Sequence, residues 1–454
     1  MQTTNPATNE PIATYEQHSP ETVEKLLARA DETFRDWRER PIEEREALAV
    51  SLGEILRSNA EEYAATMTHE MGKPLDQAVA EVEKCADLCD YYAERSAEHL
   101  QDERIGAEPG TKTYVSYEPL GAVLSVMPWN YPFWQVFRFA VPALTAGNVG
   151  LLKHAPNVLG CANAIEACFE EAGYPAGAFA SIQVEDERVA DIIADDRVRA
   201  VTLTGSTGAG RAVAAASGEN LKKTVLELGG SDPFVVLADA PLDEVVDAAV
   251  TARNQNSGQT CIAAKRFFVH ESIHDEFVER FAREAEQLTV GDPTEEGTDV
   301  GPQARADLLE ELDSQVQRSV EAGATVETGG EPLDREGNFY PPTVLTGVPE
   351  DCPAATEELF GPVAAVFPVE SDDEAIEAAN DTQFGLGGSV WTADADRGEA
   401  LAKRITAGNV FVNQVVKSDP RLPFGGVKES GYGSELAGHG IREFTNAKTI
   451  WVER

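Results

Sequence analysis

Strand patterns and helix patterns alternate along the chain between residues 149 and 230. Apolar, β-branched segments with the length of buried strands occur at residues 149–155, 180–184, 199–205 and 223–230. Helix patterns separate them, at residues 157–173, 187–196 and 208–218. Parallel strands need long crossover connections, so this alternation is typical of a parallel sheet with helices on both faces. The sequence therefore predicts an α/β domain over this stretch.

A second α/β series follows it, and the length of 454 residues fits two or three domains. Strand patterns in the second series are FVVLA, KRFFVH, TVLTGV, AAVFPV, GGSVWT and GNVFVN. The first hundred residues instead have helix patterns, the clearest of which opens with Ser19 as a cap and Pro20 in the first turn. Two further β patterns, near 111–121 and 444–454, lie outside both series. An exposed ribbon of strand needs a partner to cover its edges, which favours oligomerisation.

The charge balance limits the partners of the chain. It has 79 acidic and 37 basic residues, a formal net charge of −42, and the acidic residues are spread along its length. Such a surface repels nucleic acid and anionic membranes. No apolar run could cross a bilayer, and the first residues lack a signal pattern, so we expect a cytoplasmic protein. The acidity favours adaptation to a salt-rich cytoplasm over an ordinarily acidic protein.

Most of the six cysteines fit structural roles. Cys85 and Cys89 share one helix pattern, and Cys161 and Cys168 share another, where small buried hydrophobic residues fit. The other ligands of a zinc site are missing, so we expect no metal, and a disulfide framework is not expected either. Cys352, in a loop pattern, has no assigned role.

Three residues could perform chemistry, although each also has a structural interpretation. Cys261, in NSGQTCIAAKR, follows small and polar residues and could present a nucleophilic thiolate. Glu227, in LELGGSDP, ends an apolar strand, where burial would raise its pKa towards that of a general base. Asn130, in MPWNYP between a strand pattern and a helix pattern, could donate a hydrogen bond to an oxyanion. Taken singly, a structural cysteine, a solvent-facing glutamate and a turn asparagine are the commoner cases.

A glycine-rich segment indicates a phosphate site. Gly205, Ser206 and Gly210 lie in a run that follows a strand pattern and opens a helix pattern. Glycines there let a phosphate approach backbone N–H groups and the helix N-terminus. The spacing is G-x-x-G-x-G, which differs from the dinucleotide pattern G-x-G-x-x-G.

Taken together, these segments resemble the aldehyde dehydrogenase superfamily over essentially the whole chain. The matching motifs occur in the order and at the spacing of that family. They are PWNYP at 128–132, LLKHA around Lys153, LTGSTGAG at 203–210, LELGGSDP at 226–233, GQTC at 258–261, EELFGPV at 357–363, NVFVN at 409–413 and PFGGVKESGYG at 423–433.

The resemblance implies an α/β, aldehyde dehydrogenase-like fold with a Rossmann-type cofactor domain, an α/β catalytic domain and a small β oligomerisation element. The implied boundaries are 1–110 and 122–229 for the NAD(P)-binding domain, 230–417 for the catalytic domain, and 111–121 with 436–454 for the oligomerisation element, while 418–435 returns to the cofactor domain. A homodimer or homotetramer is expected.

The resemblance also implies a mechanism. The thiolate of Cys261 attacks an aldehyde carbon, while the amide of Asn130 and the backbone N–H of Cys261 hold the oxyanion. Hydride leaves to the nicotinamide, and Glu227 activates the water that hydrolyses the resulting thioester to a carboxylic acid.

NAD or NADP is the implied cofactor. Glu358 and Phe360 match positions that hold the nicotinamide ribose, Lys153 matches a lysine near the adenine-side ribose, and Ser206 matches a residue at the pyrophosphate. The other residues expected at the cofactor are Trp129, Gly205, Gly210 and Leu228. Pro156 stands where many NAD-using members have an acidic residue, so nothing there repels a 2′-phosphate; we favour NAD, with NADP possible.

The shorter succinate-semialdehyde dehydrogenases are the most similar branch, through segments such as HEMGKPLDQAVAEVEKCADLCDYYAE and MPWNYPFWQVFR. Arg138 matches an arginine that binds the substrate carboxylate. A second arginine of that branch is replaced by Gln255, and Ser418 and Arg421 could supply the missing donors.

Other substrates and activities stay open. Another semialdehyde, such as glutarate semialdehyde, or a neutral aldehyde is the main alternative. A thioester hydrolase without cofactor and a non-catalytic relative are further alternatives. Ser434, where the family usually has arginine, is expected to alter only an intersubunit contact.

Overall fold

The computed structural model describes residues 1–106 and 110–453. The predicted domain boundary at residue 110 therefore adjoins residues 107–109, which, like Arg454, lie outside the described residues. The strands are β1 Gln2–Thr4, β2 Pro11–Thr14, β3 Glu103–Ile105, β4 Thr111–Pro119, β5 Ala122–Met127, β6 Val149–His154, β7 Phe179–Ser181, β8 Val198–Thr204, β9 Lys223–Glu227, β10 Asp232–Val236, β11 Ala264–His270, β12 Thr325–Thr328, β13 Thr343–Thr346, β14 Val363–Val369, β15 Gly387–Trp391, β16 Asn409–Val412, β17 Gly431–Tyr432 and β18 Thr445–Glu453.

Helices connect most of these strands. They are α1 Pro20–Trp37, α2 Ile42–Ser58, α3 Ala60–Met71, α4 Leu75–His99, α5 Trp134–Thr145, α6 Leu159–Glu171, α7 Val189–Ala194, α8 Thr207–Glu219, α9 Leu242–Asn254, α10 Glu271–Glu286, α11 Ala306–Ala322, α12 Pro353–Thr356, α13 Asp372–Asn380, α14 Ala395–Ala402 and α15 Ala437–Glu443. Of the helices in the described ranges, none is both long enough and apolar enough to cross a lipid bilayer.

The first large sheet has the order β17-β9-β8-β5-β6-β7. Strands β5 to β9 pair in parallel, and only β17 is antiparallel, where Gly431 pairs with Glu227. The chain order reverses between β5 and β8, which is where open α/β sheets bind ligands, outside the carboxyl ends of their strands. Helices α1 to α6 pack into the core of this sheet, which continues through Trp37, Met67 and Phe137. The alternation predicted from the sequence is confirmed.

The second large sheet has the order β12-β13-β14-β11-β10-β15-β16 and is parallel except for β12. Its core includes Phe234 of β10 and Phe267 of β11, whose rings are in contact, and Phe281 of α10, whose ring packs on Phe267. Strands β10 and β11 run buried along almost their whole length, as strands covered on both faces do.

A three-stranded antiparallel sheet, β18-β4-β3, stands outside both cores. Strand β18 pairs with β4 along nine residues, and most of its side chains are exposed, including Trp451. The predicted β segments near 111–121 and 444–454 are therefore confirmed as strands.

The expectation that the first hundred residues are all helical is wrong at the N-terminus. Strands β1 and β2 form an antiparallel hairpin, whose turn includes Asn9 in the left-handed region. Both strands are short, and the polar or proline-containing segments QTT and PIAT show no apolar alternation, which is the signal that a strand prediction needs.

Candidate active site

A cavity of about 390 Å³ lies where the carboxyl ends of β5, β8 and β9 face loops of the second sheet. Most of the residues predicted to act at the site line it. They are Trp129, Asn130, Gly205, Ser206, Leu228, Cys261, Glu358 and Phe360. These residues lie as far apart in sequence as positions 129 and 360, so the two sheets together build the cavity. Glu227, Lys153, Gly210, Arg138, Ser418 and Arg421 are not part of the lining.

The loop that presents Cys261 has an unusual backbone. Helix α9 ends at Asn254, and Asn256, Ser257 and Gly258 after it all have φ between 55° and 72°. A Cβ on Gly258 would lie 2.4 Å from the carbonyl carbon of Gly361, so only glycine fits there. A non-glycine residue whose backbone is held in the left-handed region costs energy. Such residues are found where surrounding contacts enforce the conformation, often at functional sites.

Asn130 is tied directly to this loop. Its Nδ2 donates to the carbonyl oxygen of Gln259 at 3.1 Å, and the Nδ2 of Asn256 donates to the Asn130 carbonyl at 2.8 Å. One hydrogen of the Asn130 amide is thus used to fix the side chain, and the other is left for a ligand in the cavity. The hydroxyl groups of Tyr131 and Thr260 lie 3.0 Å apart, which adds a second link between the two loops.

The segment that carries Asn130 is anchored by a buried ion pair. Lys73 and Glu81 form a salt bridge in which both side chains are 1% exposed. The second oxygen of Glu81 accepts the backbone N–H groups of Phe133 and Trp134, each at 2.9 Å, at the beginning of α5. The carboxylate therefore satisfies free N–H groups at a helix N-terminus, where negative charge is favourable.

Cys261 is partly exposed and lines the cavity. Burial raises its pKa to about 12, although the charges of Arg138 and Lys265 oppose the shift. The ammonium group of Lys265 donates to the carbonyl oxygens of Thr260, Cys261 and Ala263 at 3.0, 2.8 and 3.3 Å. Lys265 thereby fixes the orientation of the carbonyl groups in the loop that carries Cys261.

Glu227 is buried at the end of β9, as the sequence predicted for a desolvated carboxyl. Burial, together with the nearby Glu435, raises the pKa of Glu227 well above its usual range, against the opposing charge of Arg138. Neither carboxyl oxygen has a hydrogen-bond partner among the described residues. A raised pKa makes the ionised carboxylate a stronger proton acceptor, which suits a general base.

The glycine-rich segment forms the turn from β8 into α8. Ser206 caps the helix, and its Oγ accepts the N–H of Ala209 at 3.3 Å. A Cβ on Gly210 would lie 2.5 Å from Leu228 Cδ2, so the glycine allows α8 to pack closely on the cavity-lining Leu228. The N–H groups in the first turn of a helix have no intrahelical acceptor and attract a phosphate.

Glu358 and Phe360 reach the cavity from the second sheet. The Oε1 of Glu358 accepts the N–H of Gly230 at 3.0 Å and lies 3.5 Å from the ammonium group of Lys265. A Cβ on Gly229 would lie 2.4 Å from the Glu358 carboxylate, which explains a glycine there. The rings of Phe360 and Trp129 meet edge to face at 5.7 Å and close one side of the cavity.

Lys153 lies next to the end of β6 and forms an ion pair with Asp186, which is largely exposed. The lysine side chain itself is buried. Because the carboxyl end of β6 is beside that of β5, the ammonium group lies at the sheet edge that borders the cavity.

The three residues predicted to bind the substrate carboxylate lie in different environments. Arg138 is buried on α5, forms an ion pair with Glu435, and lies 4.7 Å from the ring centre of Phe424. Arg421 is largely exposed and binds Asp419 through two nitrogens, at 2.8 and 2.6 Å. The structure does not bring Arg421 to the Cys261 cavity. Ser418 is buried and contacts Lys84, a residue that the sequence analysis did not select.

The amino-acid sequence matches the aldehyde dehydrogenase family over residues 1–450. The chain belongs to this family. It is 50% identical, over 450 residues and 99% of each chain, to a Synechocystis protein named probable succinate-semialdehyde dehydrogenase (NADP+). A Mycobacterium avium succinate-semialdehyde dehydrogenase (NADP+) is also 50% identical, over 99% of this chain and 96% of its own. The solved structure of succinic semialdehyde dehydrogenase from Streptococcus pyogenes with NADP+ aligns with a TM-score of 0.98 at 37% identity, over 100% of both chains.

The predicted family and the predicted α/β fold are confirmed by these comparisons. In this aldehyde dehydrogenase the lining is suited to a dinucleotide, because the N-terminus of α8, which can bind phosphate, and the carboxylate of Glu358, which can accept ribose hydroxyl groups, lie on the same cavity. Sequence reasoning missed the part of the lining that comes from α11. Leu308, Glu311, Leu312 and Gln315 lie at helical spacing on one face, a periodicity that could have identified that face but not its neighbour.

Proposed function

We propose that this aldehyde dehydrogenase oxidises succinate semialdehyde to succinate, with NAD or NADP as the hydride acceptor. The observation that carries the proposal is the cavity that brings Cys261 and Asn130 together with the α8 N-terminus and Glu358. The Synechocystis and Mycobacterium relatives, each 50% identical, are named for this activity and for NADP, which supports the same substrate and cofactor here.

The reaction begins when the thiolate of Cys261 adds to the aldehyde carbon, and the carbonyl oxygen becomes an oxyanion. The free amide hydrogen of Asn130 and the backbone N–H of Cys261 donate hydrogen bonds to that oxygen. When bound, the nicotinamide supplies the acceptor for the hydride that leaves the aldehyde carbon. Cys261 then carries a thioester. Glu227 accepts a proton from the attacking water, the carbon–sulfur bond breaks, and the carboxylate is released.

The cofactor would be held along the cavity and the adjoining sheet edge. Gly205, Ser206 and Gly210 would let the α8 N-terminus bind the pyrophosphate, and Lys153 would bind on the adenine side. Glu358 and Phe360 would hold the nicotinamide side from the second sheet, and Trp129 and Leu228 would add apolar walls. In this proposal the first sheet, with residues 1–110, 122–229 and 418–435, is the cofactor domain, and residues 230–417 form the catalytic domain.

The proposal includes a homodimer or homotetramer formed through the β18-β4-β3 sheet, in which β3, Glu103–Ile105, comes from the range otherwise assigned to the cofactor domain. Trp451 is 59% exposed and Val452 is 38% exposed on β18, whose outer edge has no strand neighbour among the described residues. A second copy of the chain would cover this edge and these apolar side chains. Light scattering on the purified protein, with Trp451→Lys as the variant, tests this part: a monomeric wild-type protein would contradict it.

The remaining expectations from composition stay predictions. The net charge of −42 favours a salt-rich cytoplasm as the working environment. Activity and stability should therefore rise with KCl concentration, and full activity and stability in dilute buffer would exclude adaptation to high salt.

The substrate proposal is tested by the formation of NAD(P)H over a panel of aldehydes. The panel contains succinate semialdehyde, glutarate semialdehyde and butanal, each with NAD and with NADP. We expect the highest kcat/KM for succinate semialdehyde. A higher value for glutarate semialdehyde would change the substrate, an equal value for butanal would remove carboxylate selectivity, and no oxidation of any of these aldehydes would overturn the proposed activity.

A further inference from the structure

An aldehyde with a distal carboxylate needs a cation at the far end of its site, because a desolvated carboxylate is costly without one. The two arginines selected from the sequence are already paired. Arg138 forms a buried salt bridge with Glu435, and Arg421 binds Asp419 at the surface. The positive charge of Arg138 is therefore largely neutralised before any substrate arrives.

Lys84 is a cation beside Arg138 that lacks such a partner. It lies half-buried on α4, its Nζ donates to Ser418 Oγ at 2.7 Å, and it lies 4.1 Å from the ring centre of Trp134. Within the part of the chain that the structure describes, no carboxylate lies at ion-pair distance from this ammonium group. Glu81, an acid on the same helix, is already paired with Lys73.

The surroundings of Lys84 favour an incoming anion. Burial and the neighbouring Arg138 lower the pKa of Lys84 to about 8, while Glu81 and Cys85 act in the opposite direction and Lys73 in the same one. A carboxylate placed there would stabilise the charged form of Lys84, against the effect of burial. Ser418, which is buried, would contribute a hydroxyl group to the same ligand.

Helix α5 connects this cation to the reacting centre. Gln135 lines the Cys261 cavity, and Trp134 and Arg138 are on the same helix, one turn apart. Arg138 is near enough to both groups that its charge influences the thiol of Cys261 as well as the ammonium group of Lys84. Only two methylene groups separate the reacting carbon of succinate semialdehyde from its carboxylate, so a residue that binds the carboxylate must be reached from the cavity along a neighbouring element such as α5.

We propose that Lys84, assisted by Ser418, binds the distal carboxylate of the substrate and so determines the preference for an ω-carboxylated aldehyde. This inference rests on the proposed oxidation of succinate semialdehyde. In this proposal Lys84 supplies the positive charge that Gln255, in place of an arginine, cannot supply. Arg138 mainly forms the ion pair with Glu435.

The test is Lys84→Met, which keeps the length and the contact with Trp134 but removes the charge. KM for succinate semialdehyde should rise about 10- to 100-fold, which is the range for losing one hydrogen bond to a charged group. KM for butanal, in which a methyl group replaces the carboxylate, should change less than about twofold, because no carboxylate is bound. Lys84→Arg should recover part of the loss, and Lys25→Met, at an exposed position on α1, should change neither constant.

A second measurement uses the unaltered enzyme. Because the cation is lost as pH rises through about 8, KM for succinate semialdehyde should rise above that pH while KM for butanal does not follow it. The groups facing Lys84 are Arg138, Glu81, Lys73, Cys85 and Ser418, and the Lys84→Met variant should lose this pH dependence.

The outcomes separate the two proposals. If the wild-type enzyme prefers succinate semialdehyde and Lys84→Met keeps that preference, the Lys84 proposal is wrong and the proposed function stands. An equal rise of KM for both aldehydes would make Lys84 a structural residue. A wild-type enzyme that oxidises both aldehydes with the same kcat/KM would overturn both proposals.

Discussion

The buried ion pair between Lys73 and Glu81 should stabilise the segment that carries Asn130 through a strongly coupled interaction. In Lys73→Met the Glu81 carboxylate stays 1% exposed without its cation, which typically costs about 3–5 kcal/mol. We expect about 3 kcal/mol, because Glu81 keeps the N–H groups of Phe133 and Trp134. Glu81→Leu leaves the ammonium group of Lys73 without a counter-charge. It also leaves these two N–H groups without an acceptor, which adds about 1–3 kcal/mol for each.

The double variant Lys73→Met/Glu81→Leu should lose only the two hydrogen bonds to α5, or about 3 kcal/mol. The coupling free energy between the two sites should therefore exceed about 3 kcal/mol. Guanidinium unfolding followed by tryptophan fluorescence measures it, since Trp37, Trp129 and Trp134 all lie in this core. Additive effects of the two substitutions would refute the reasoning, because they would mean that neither charge depends on the other.

Three further predictions concern the catalytic groups. Asn130→Ala should lower kcat about 10²- to 10³-fold while cofactor affinity, followed by NAD(P)H fluorescence, is kept; a loss of affinity with unchanged kcat would assign Asn130 to binding. Glu227→Gln should leave the first-turnover burst of NAD(P)H intact and slow the steady state, and an unchanged steady-state rate would remove Glu227 from hydrolysis. The rate at which iodoacetamide alkylates Cys261 in the cofactor-free enzyme should rise about tenfold per pH unit between about pH 7 and pH 9. Only the thiolate reacts, and burial raises the pKa of the Cys261 thiol to about 12. A rate that levels off in this range would contradict the raised pKa.

The sequence could predict those parts of the site that depend on the ends of local elements. Asn130 was expected between a strand and a helix, Glu227 at a strand end and Ser206 at a helix start, and the structure places each of them there. Each position follows from the change in hydrophobic period at an element boundary, which is visible in a few neighbouring residues.

The parts that could not be predicted depend on contacts between distant segments. The pairing of Arg138 with Glu435 joins α5 to a loop almost three hundred residues later, and no local pattern indicates it. Lys84 lies in an ordinary amphipathic helix, and its role emerges only when Ser418 and Trp134 are placed beside it. The left-handed backbone at Asn256 and Ser257 was also missed, since neither residue type requires that conformation.

The central claim is that Cys261 is the nucleophile. Oxidation of succinate semialdehyde by Cys261→Ala, followed as NAD(P)H formation, tests it most directly, with Cys352→Ala as the matched control and cofactor binding measured by fluorescence. We predict that Cys261→Ala binds the cofactor as the wild-type enzyme does and shows no oxidation, while Cys352→Ala stays active. Turnover retained by Cys261→Ala would contradict the account.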